Sequence, residues 1–503
     1  MNNLLKNCIS RNHSVRADSF GTLESNATRC VLGRGAQGGR PFARRMDMGF
    51  FQYVSQKLRS PARTPHEGTT RGDQPLRHTR WPLLVAGLLL ALLTVTSCAS
   101  CTGGKKGLGP PTHVDTQGVP LIRVKLGQAV RGAQVATSGE YRLISDGKVL
   151  RTGKRLSATV AHANGQWQLL GEGLPATVGA SVLVVDSGEN GLVSYAPHDA
   201  SGQPTSAVQY RGAMQFRTQP DGRFIAVNQV DMESYVAGVV PKELYASWQY
   251  ETYRALSVAA RTFALYHSQQ SAAKNRPYDV GDGESSQVYG GYTAEHKSAH
   301  ARKAVESTRG KVLTWKNQVI MSQYSSCCGG RVNPAAVLRA DAPTDGPFAG
   351  GQECRDCRAS TRFAWGPVHV NKAQLLTALR ARYAAANSLS DITEIRVKTQ
   401  TSWGRAVMIE VLGPGGSITI RADDLRLAWN MYNGGANKPG YLNSMNCQWQ
   451  LAGQHVTFHT GSGFGHGVGL CQFGAEGKAL RGWRGEQILG AYYPGAQLTT
   501  LWK

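Results

Sequence analysis

The chain has 503 residues, 41% of them hydrophobic and 18% charged. That balance belongs to a globular chain, excludes a wholly disordered one, and leaves room for two or three domains. The formal net charge of +23 suits an anionic polymer or a membrane surface, or serves solubility alone; no nucleic-acid-binding motif accompanies it, so nucleic acid is not an expected partner.

Residues 1–79 show no sustained apolar period and read as a disordered basic tail. Residues 1–80 hold 14 Lys and Arg against 5 Asp and Glu. Met46 and Met48 are alternative starts. Trp81–Ser97 is an apolar stretch of about 17 residues, near the lower limit for crossing a bilayer. Arg77, His78 and Arg80 precede it, which favours a cytoplasmic start. Residues 80–101 therefore read as a signal peptide or an uncleaved anchor. Val95-Thr96-Ser97-Cys98 also resembles a bacterial lipobox, with Cys98 as the lipidated residue. Each version attaches residues 81–98 to a membrane at some stage and exports the rest of the chain. Residues 102–118, rich in Gly, Lys and Pro, read as a linker.

From 119 to 225 strand signals dominate. Leu121–Leu126 alternates in part, and Tyr141–Leu150 predicts a hairpin turning at Asp146-Gly147. Trp167–Leu170, Ala180–Val185 and Met214–Arg217 add short strands. This β-rich region has no cluster of catalytic side chains and is expected to support the site or bind polymer. Residues 226–503 mix helix and strand, so the fold class is α+β: a β-rich region, then a mixed α/β catalytic domain with glycine-rich loops lining a cleft.

Asp231–Ser268 organises that second domain. An apolar run ends at Val239-Val240-Pro241, and Glu243 follows on what reads as a short connection. From Glu251, Ala255/Leu256, Ala259/Ala260 and Phe263/Ala264 recur four apart, one face of an amphipathic helix. Its alanines allow close approach by another element. Further on, Ser298–Ser307 and Lys372–Ala385 read as helices. Lys311–Leu313 and Val319–Tyr324 form a hairpin around Lys316-Asn317. Residues 331–360 are irregular, and Asp391–Ile409, Ser417–Ile420 and His455–His459 are strands. Gly485–Tyr492 is a last helix, and Arg421–Asn446 has no clear register.

Three carboxylates compete as a catalytic acid. Glu251 opens a helix, where the dipole favours a negative charge. Glu233 fits a cap or an arginine partner. Glu243 has apolar neighbours on both sides, and partial burial there raises a carboxyl pKa, as a general acid at neutral pH requires.

The blocks V-V-P-K-E-L (239–244), Trp248-x-x-Glu251 and A-L-S-V-A-A-R-T-F-A (255–264) resemble the core signature of the sporulation stage II protein D (SpoIID/LytB) family. So do S-S-Q-V-Y-G-G (285–291), Y-S-S-C-C-G-G (324–330), G-S-G-F-G-H-G-V-G-L-C-Q-F-G-A (461–475) and A-Y-Y-P-G-A (491–496). The resemblance implies a bacterial cell-wall protein of one of two kinds. One is a lytic transglycosylase acting on peptidoglycan glycan strands. The other is a non-catalytic enhancer of a cell-wall amidase. In the first case the family's catalytic glutamate falls on Glu243, and no cofactor is required. The sugar's own C6 hydroxyl replaces the second carboxylate that most glycosidases need. Arg261, Gln287, Tyr289, Ser325, Ser326, His466 and Gln472 would then hold substrate. The Gly461–Gly469 run lacks the setting and ending of a phosphate loop and serves close ligand approach or tight packing.

Of the 10 cysteines, Cys327, Cys328, Cys354, Cys357, Cys447 and Cys471 lie in the exported part. Disulfides suit an oxidising compartment. Cys327, Cys328, Cys354, Cys357 and Cys471 offer the alternative of a structural zinc site, and the resemblance implies a zinc near the active site in some family members.

Overall fold

Alternating burial along Leu121–Val130 turns Ile122, Val124 and Leu126 inward and its polar residues outward. The computed structural model describes residues 115–503, apart from 116, 172, 175, 176, 180, 181, 189 and 437. The tail, the apolar segment with Cys98 and nearly all of the linker lie outside the described residues. Among the described residues no helix is long and apolar enough to cross a membrane.

The class is α+β, as expected. A seven-stranded sheet runs in the order Val280–Gly281, Leu121–Val130, Phe224–Asp231, Ala213–Thr218, Val182–Asp186, Tyr141–Ser145, Lys148–Gly153. A six-stranded sheet contains Gly132–Thr137, Ser157–Ala163 and Gln166–Leu170. Trp167 of the second sheet is fully buried against Phe224 and Phe216 of the first, at ring separations of 5.3 and 6.3 Å. The Asp146-Gly147 hairpin forms with both residues at positive φ, which suits the right-handed twist of its strands. Phe224–Asp231 is an interior strand of the larger sheet and crosses the expected boundary at 225/226. Its run Phe224–Asn228 is buried on both faces, so it belongs to the β layer as far as Asp231.

Helices carry the second half: α1 (Met232–Glu243), α2 (Tyr250–Ala273), α3 (Gly291–Glu295), α4 (Ala301–Ser307), α5 (Lys372–Arg382), α6 (Ala422–Tyr432), α7 (Gln472–Leu480) and α8 (Gly485–Tyr492). Glu243 is thus the last residue of a helix rather than part of a connection, and Pro241 sits in that helix's final turn. Asp231 caps α1 by accepting from the Ser234 N–H at 2.9 Å. The alanine face of α2 is buried at Ala255, Ala259, Ala260 and Ala264. Residues 368–458 form a small α/β unit with a core of its own, including Leu375, Leu379, Ile409, Leu425 and Phe458. The unreadable segment Arg421–Asn446 is α6 followed by a loop. Asn430 pins that loop by exchanging two hydrogen bonds of 2.9 Å with the Leu442 backbone.

One buried ion pair ties α1 to everything around it. Arg261 of α2, fully buried, grips Glu233 of α1 with Nε–Oε1 at 3.0 Å and Nη2–Oε2 at 2.6 Å. Glu233 Oε1 also accepts from the Gly310 N–H at 3.1 Å and the Trp502 indole at 2.9 Å. Arg261 spends its other N–H groups on the carbonyls of Val305 and Lys311. Arg261 is therefore a structural clamp, not a substrate ligand, because none of its surface reaches solvent. Removing one partner strands a buried charge, a loss typically of about 3–5 kcal/mol. Arg261→Met should lower the urea midpoint without changing the slope, the shift times the slope being of that order, and Arg261→Met/Glu233→Leu should recover a good part of it. A midpoint within error of the parent for Arg261→Met would mean the clamp is dispensable.

Candidate functional site

At the C-terminal end of α1 the chain turns extended at Leu244, and the Glu243 side chain is half-buried. Its Oε1 accepts from the Val288 backbone N–H at 2.8 Å, and its Oε2 accepts from Gln472 Nε2 at 3.1 Å. The nearby Tyr324 side chain also favours its charged form, as the smallest of the influences on it. Burial pushes the Glu243 pKa above the usual carboxylate range; the Val288, Gln472 and Tyr324 donors pull against this, and the negative charge of Glu284 adds to the rise. Among the described residues no cation hydrogen-bonds it. Glu233 and Asp423, by contrast, are paired with guanidinium groups. A carboxyl in this setting holds its proton to higher pH than an exposed one and survives its loss, because neutral donors stand ready for the anion.

The donors are themselves fixed. Gln287, fully buried, accepts from the Tyr235 hydroxyl through Oε1 at 3.0 Å. Its Nε2 donates to the Tyr324 oxygen at 2.9 Å. Tyr324 thus accepts a hydrogen bond from Gln287, which leaves its own hydroxyl hydrogen free to donate. Burial raises both phenols well above their usual pKa, so they stay neutral. Gln287 therefore acts behind Tyr324. Gln472 touches Glu243 directly from the first turn of α7.

The other expected ligands do not gather at Glu243. Tyr289 is buried; its hydroxyl donates to Asn228 Oδ1 at 2.9 Å, and its ring packs between Tyr210 and Tyr235. It is a wall of the core, closed off because three aromatic rings fill the space. Ser325 accepts from the Gly467 N–H at 3.1 Å, fastening the glycine-rich loop. The Ser326 carbonyl accepts from the Phe473 N–H at 3.1 Å. His466 is pushed down to about 4 by burial, against the pull of Asp423. Its Nδ1 accepts from the Val468 N–H at 3.0 Å, so the neutral ring braces its own loop. The glycines of that loop serve packing: a Cβ on Gly469, at φ 69°, would lie 1.9 Å from the Gln323 carbonyl oxygen. Glu251 accepts from Arg254 at 2.8 Å and from the Gly485 N–H at 2.6 Å, joining α2 to α8.

Three participants escaped the sequence reading: Tyr324, the Val288 N–H and Glu284. Tyr324 heads the Y-S-S-C-C-G-G block, and that position was its one signal. A backbone N–H leaves no residue-type signal at all.

Beside this site four thiols converge. Cys328, Cys354, Cys357 and Cys471 are buried, with their sulfurs within 4.8 Å of one another. Cys328 and Cys357 lie 3.8 Å apart, far beyond a disulfide's S–S bond of about 2.05 Å. All six described cysteines are free, so the expected disulfides do not form among the described residues. Cys327 stays outside the four and directs its sulfur to the Cys357 carbonyl at 3.7 Å. Cys447 stands apart, and burial pushes its thiol up to about 12. Cys471 is the N-cap of α7, accepting from the Gly474 N–H at 3.4 Å. Asp356, between Cys354 and Cys357, bonds Lys478 at 3.1 Å and Arg481 at 2.9 Å, both at the far end of α7. The cluster thus holds the helix whose first residue, Gln472, touches Glu243.

A family model described as stage II sporulation protein matches residues 220–315, the segment containing α1, α2 and the Val288 loop. An uncharacterised protein of Brachyspira hyodysenteriae is 31% identical over 293 residues, 58% of this chain and 73% of that protein. The stage II sporulation protein D of Bacillus subtilis is 28% identical over 307 residues, covering 59% of this chain and 79% of its own length. An amidase enhancer of Bacillus subtilis is 27% identical over 303 residues, 52% of this chain and 40% of that protein.

The raised Glu243 pKa has a stability consequence. A carboxyl whose folded pKa lies above its unfolded value favours the fold fully below the unfolded value, and that contribution is lost as pH rises through the folded pKa. Glu243→Gln cannot ionise, and Gln472 can turn its amide to match. The variant should melt at or above the parent temperature at pH 7, with the gap closing towards pH 4. A gap that widens towards acid would reverse the assigned direction.

Proposed function

The chain belongs to the stage II sporulation protein D (SpoIID/LytB) family and so has a cell-wall-related role, and from that premise we propose that it is a peptidoglycan lytic transglycosylase with Glu243 as its single general acid/base. One observation carries the reading: Glu243 is a part-buried carboxyl whose pKa burial raises, hydrogen-bonded by the neutral Val288 N–H and Gln472 amide. In the reaction protonated Glu243 gives its proton to the bridging glycosidic oxygen, and the bond from that oxygen to the muramyl anomeric carbon breaks. The resulting carboxylate is steadied by the Val288 N–H, Gln472 and Tyr324. It then takes the proton of the sugar's C6 hydroxyl as that oxygen closes on the anomeric carbon. The product ends in a 1,6-anhydro ring, Glu243 is protonated again, and no water is consumed. Residues 81–98 would keep the chain exported and attached to the membrane, within reach of this polymer. The similarity to an amidase enhancer supports a second reading, a wall-binding protein that stimulates an amidase.

The four thiols fit one structural zinc ion. Tetrahedral Zn–S bonds of about 2.3 Å set neighbouring sulfurs about 3.8 Å apart, the spacing of Cys328 and Cys357. A tetrathiolate zinc centre carries two negative charges, and Arg405 offers compensation. It is buried, Asp423 at 4.0 Å is the largest charge acting on it and Cys328 a smaller one, and its Nε and Nη2 have no hydrogen-bond partner among the described residues. The zinc would supply rigidity, with Cys328, Cys354, Cys357 and Cys471 as ligands, and take no part in proton transfer.

General acid catalysis is worth about 10²–10⁴-fold. Glu243→Gln should therefore lose at least that much release of 1,6-anhydro products from purified, peptide-stripped glycan, with its fold intact. Release at the parent rate refutes the assignment. If neither protein releases product while both speed a partner amidase, the enhancer reading replaces it.

Elemental analysis of the purified chain should give one zinc per molecule. Cys354→Ser should lose the metal and lower the melting temperature. Metal-free protein of unchanged melting temperature would exclude the zinc site.

A further inference from the structure

Three aromatic rings lie beside Glu243 with no part in the proton relay. Tyr245 is 59% exposed, and Trp248 and Phe473 are half-buried. Their ring centroids stand 5.2 Å (Tyr245–Trp248), 5.0 Å (Trp248–Phe473) and 6.1 Å (Tyr245–Phe473) apart. The three form one small platform. The core does not require Tyr245 to be there, since most of its ring faces solvent.

Both edges of the platform are tied to the acid. Leu244 is extended, at φ −116° and ψ 155°. Tyr245 therefore follows Glu243 at no more than about 7 Å along the chain. Phe473 follows Gln472, which donates to Glu243. The two edges are also bolted together. Glu476, on the helix of Phe473, accepts from the Gln249 N–H at 2.9 Å and from the Thr252 hydroxyl at 2.7 Å. The Trp248 N–H donates to the Tyr245 carbonyl at 3.0 Å, closing the turn. An exposed but immobilised aromatic face costs little ordering entropy on binding.

We propose that Tyr245, Trp248 and Phe473 form a stacking subsite for the sugar ring next to the bond that Glu243 cleaves. The axial C–H groups of a pyranose carry partial positive charge and meet the negative face of an aromatic ring. Glycan strands present such a face at every ring. The subsite rests on the proposed glycan reading and adds to it where the neighbouring sugar sits.

The test uses Glu243→Gln, which binds without cutting, and peptide-stripped oligosaccharides of alternating N-acetylglucosamine and N-acetylmuramic acid, followed by calorimetric titration. Adding Tyr245→Ala should weaken binding by about 2- to 10-fold, the size of a lost aromatic contact, with an unchanged melting temperature. Tyr245→Phe should keep the parent affinity. Phe473→Leu, which keeps apolar bulk but not the ring, should weaken it as Tyr245→Ala does. Parent affinity in both Tyr245→Ala and Phe473→Leu overturns the subsite while the glycan reading stands. No binding by Glu243→Gln itself overturns the glycan reading, and the subsite falls with it. Unchanged glycan affinity with lost stimulation of an amidase would make the platform a protein contact and overturn the proposal.

Discussion

The Glu233–Arg261 pair is the constraint on which the site depends. It is buried, bidentate and fully hydrogen-bonded. It fixes α1 against α2 and collects the start of the Lys311–Trp315 strand and Trp502 near the C-terminus around one carboxylate. Hydrophobic packing alone would let the alanine-faced α2 slide along its neighbour. A charge pair that must keep all of its partners gives the register one solution, since any slip leaves a buried charge unsatisfied. Glu243 lies at the other end of α1, so its position is inherited from this clamp.

Around Glu243 the protein arranges neutral donors where an ion pair would have been simpler. An arginine in the place of Gln472 would hold the carboxylate more strongly and lower its pKa. It would also leave nothing to transfer at neutral pH. Gln472, Tyr324 and the Val288 N–H pull the pKa down less than burial and Glu284 push it up. The result is an acid that costs stability when ionised, a cost the clamp and the helix packing offset elsewhere.

The sulfur cluster and the small unit of residues 368–458 complete the surroundings. Cys354 and Cys357 sit on a short turn with little apolar content, and Cys471 begins α7. Convergence of the four sulfurs fixes the one segment against the other, and Asp356 repeats the connection with charge. The small unit has a separate core, so it packs without help from the helices beside Glu243. It contributes the Asp423–Arg426 pair behind His466; burial works against the Asp423 charge, yet Arg426 holds it at about 2.

Local patterns were legible wherever chemistry repeats along the chain. The alternating strands, the Asp146-Gly147 and Lys316-Asn317 turns, the alanine face of α2 and the last helix at Gly485–Tyr492 all came from periodicity or from turn residues that tolerate positive φ. The family was legible because its blocks occur in order. What the sequence could not determine was which polar groups meet. Glu243 and Gln472 lie 229 positions apart, Glu233 and Trp502 269. Side chains of one type end in opposite roles. Gln287 is locked behind Tyr324 while Gln472 touches the acid, and Tyr289 is sealed in the core while Tyr245 faces solvent. Residue type states what a group can donate or accept. Only the packed structure decides whether a partner, another ring or water takes up that capacity, because burial and hydrogen-bond satisfaction belong to the neighbourhood and not to the residue.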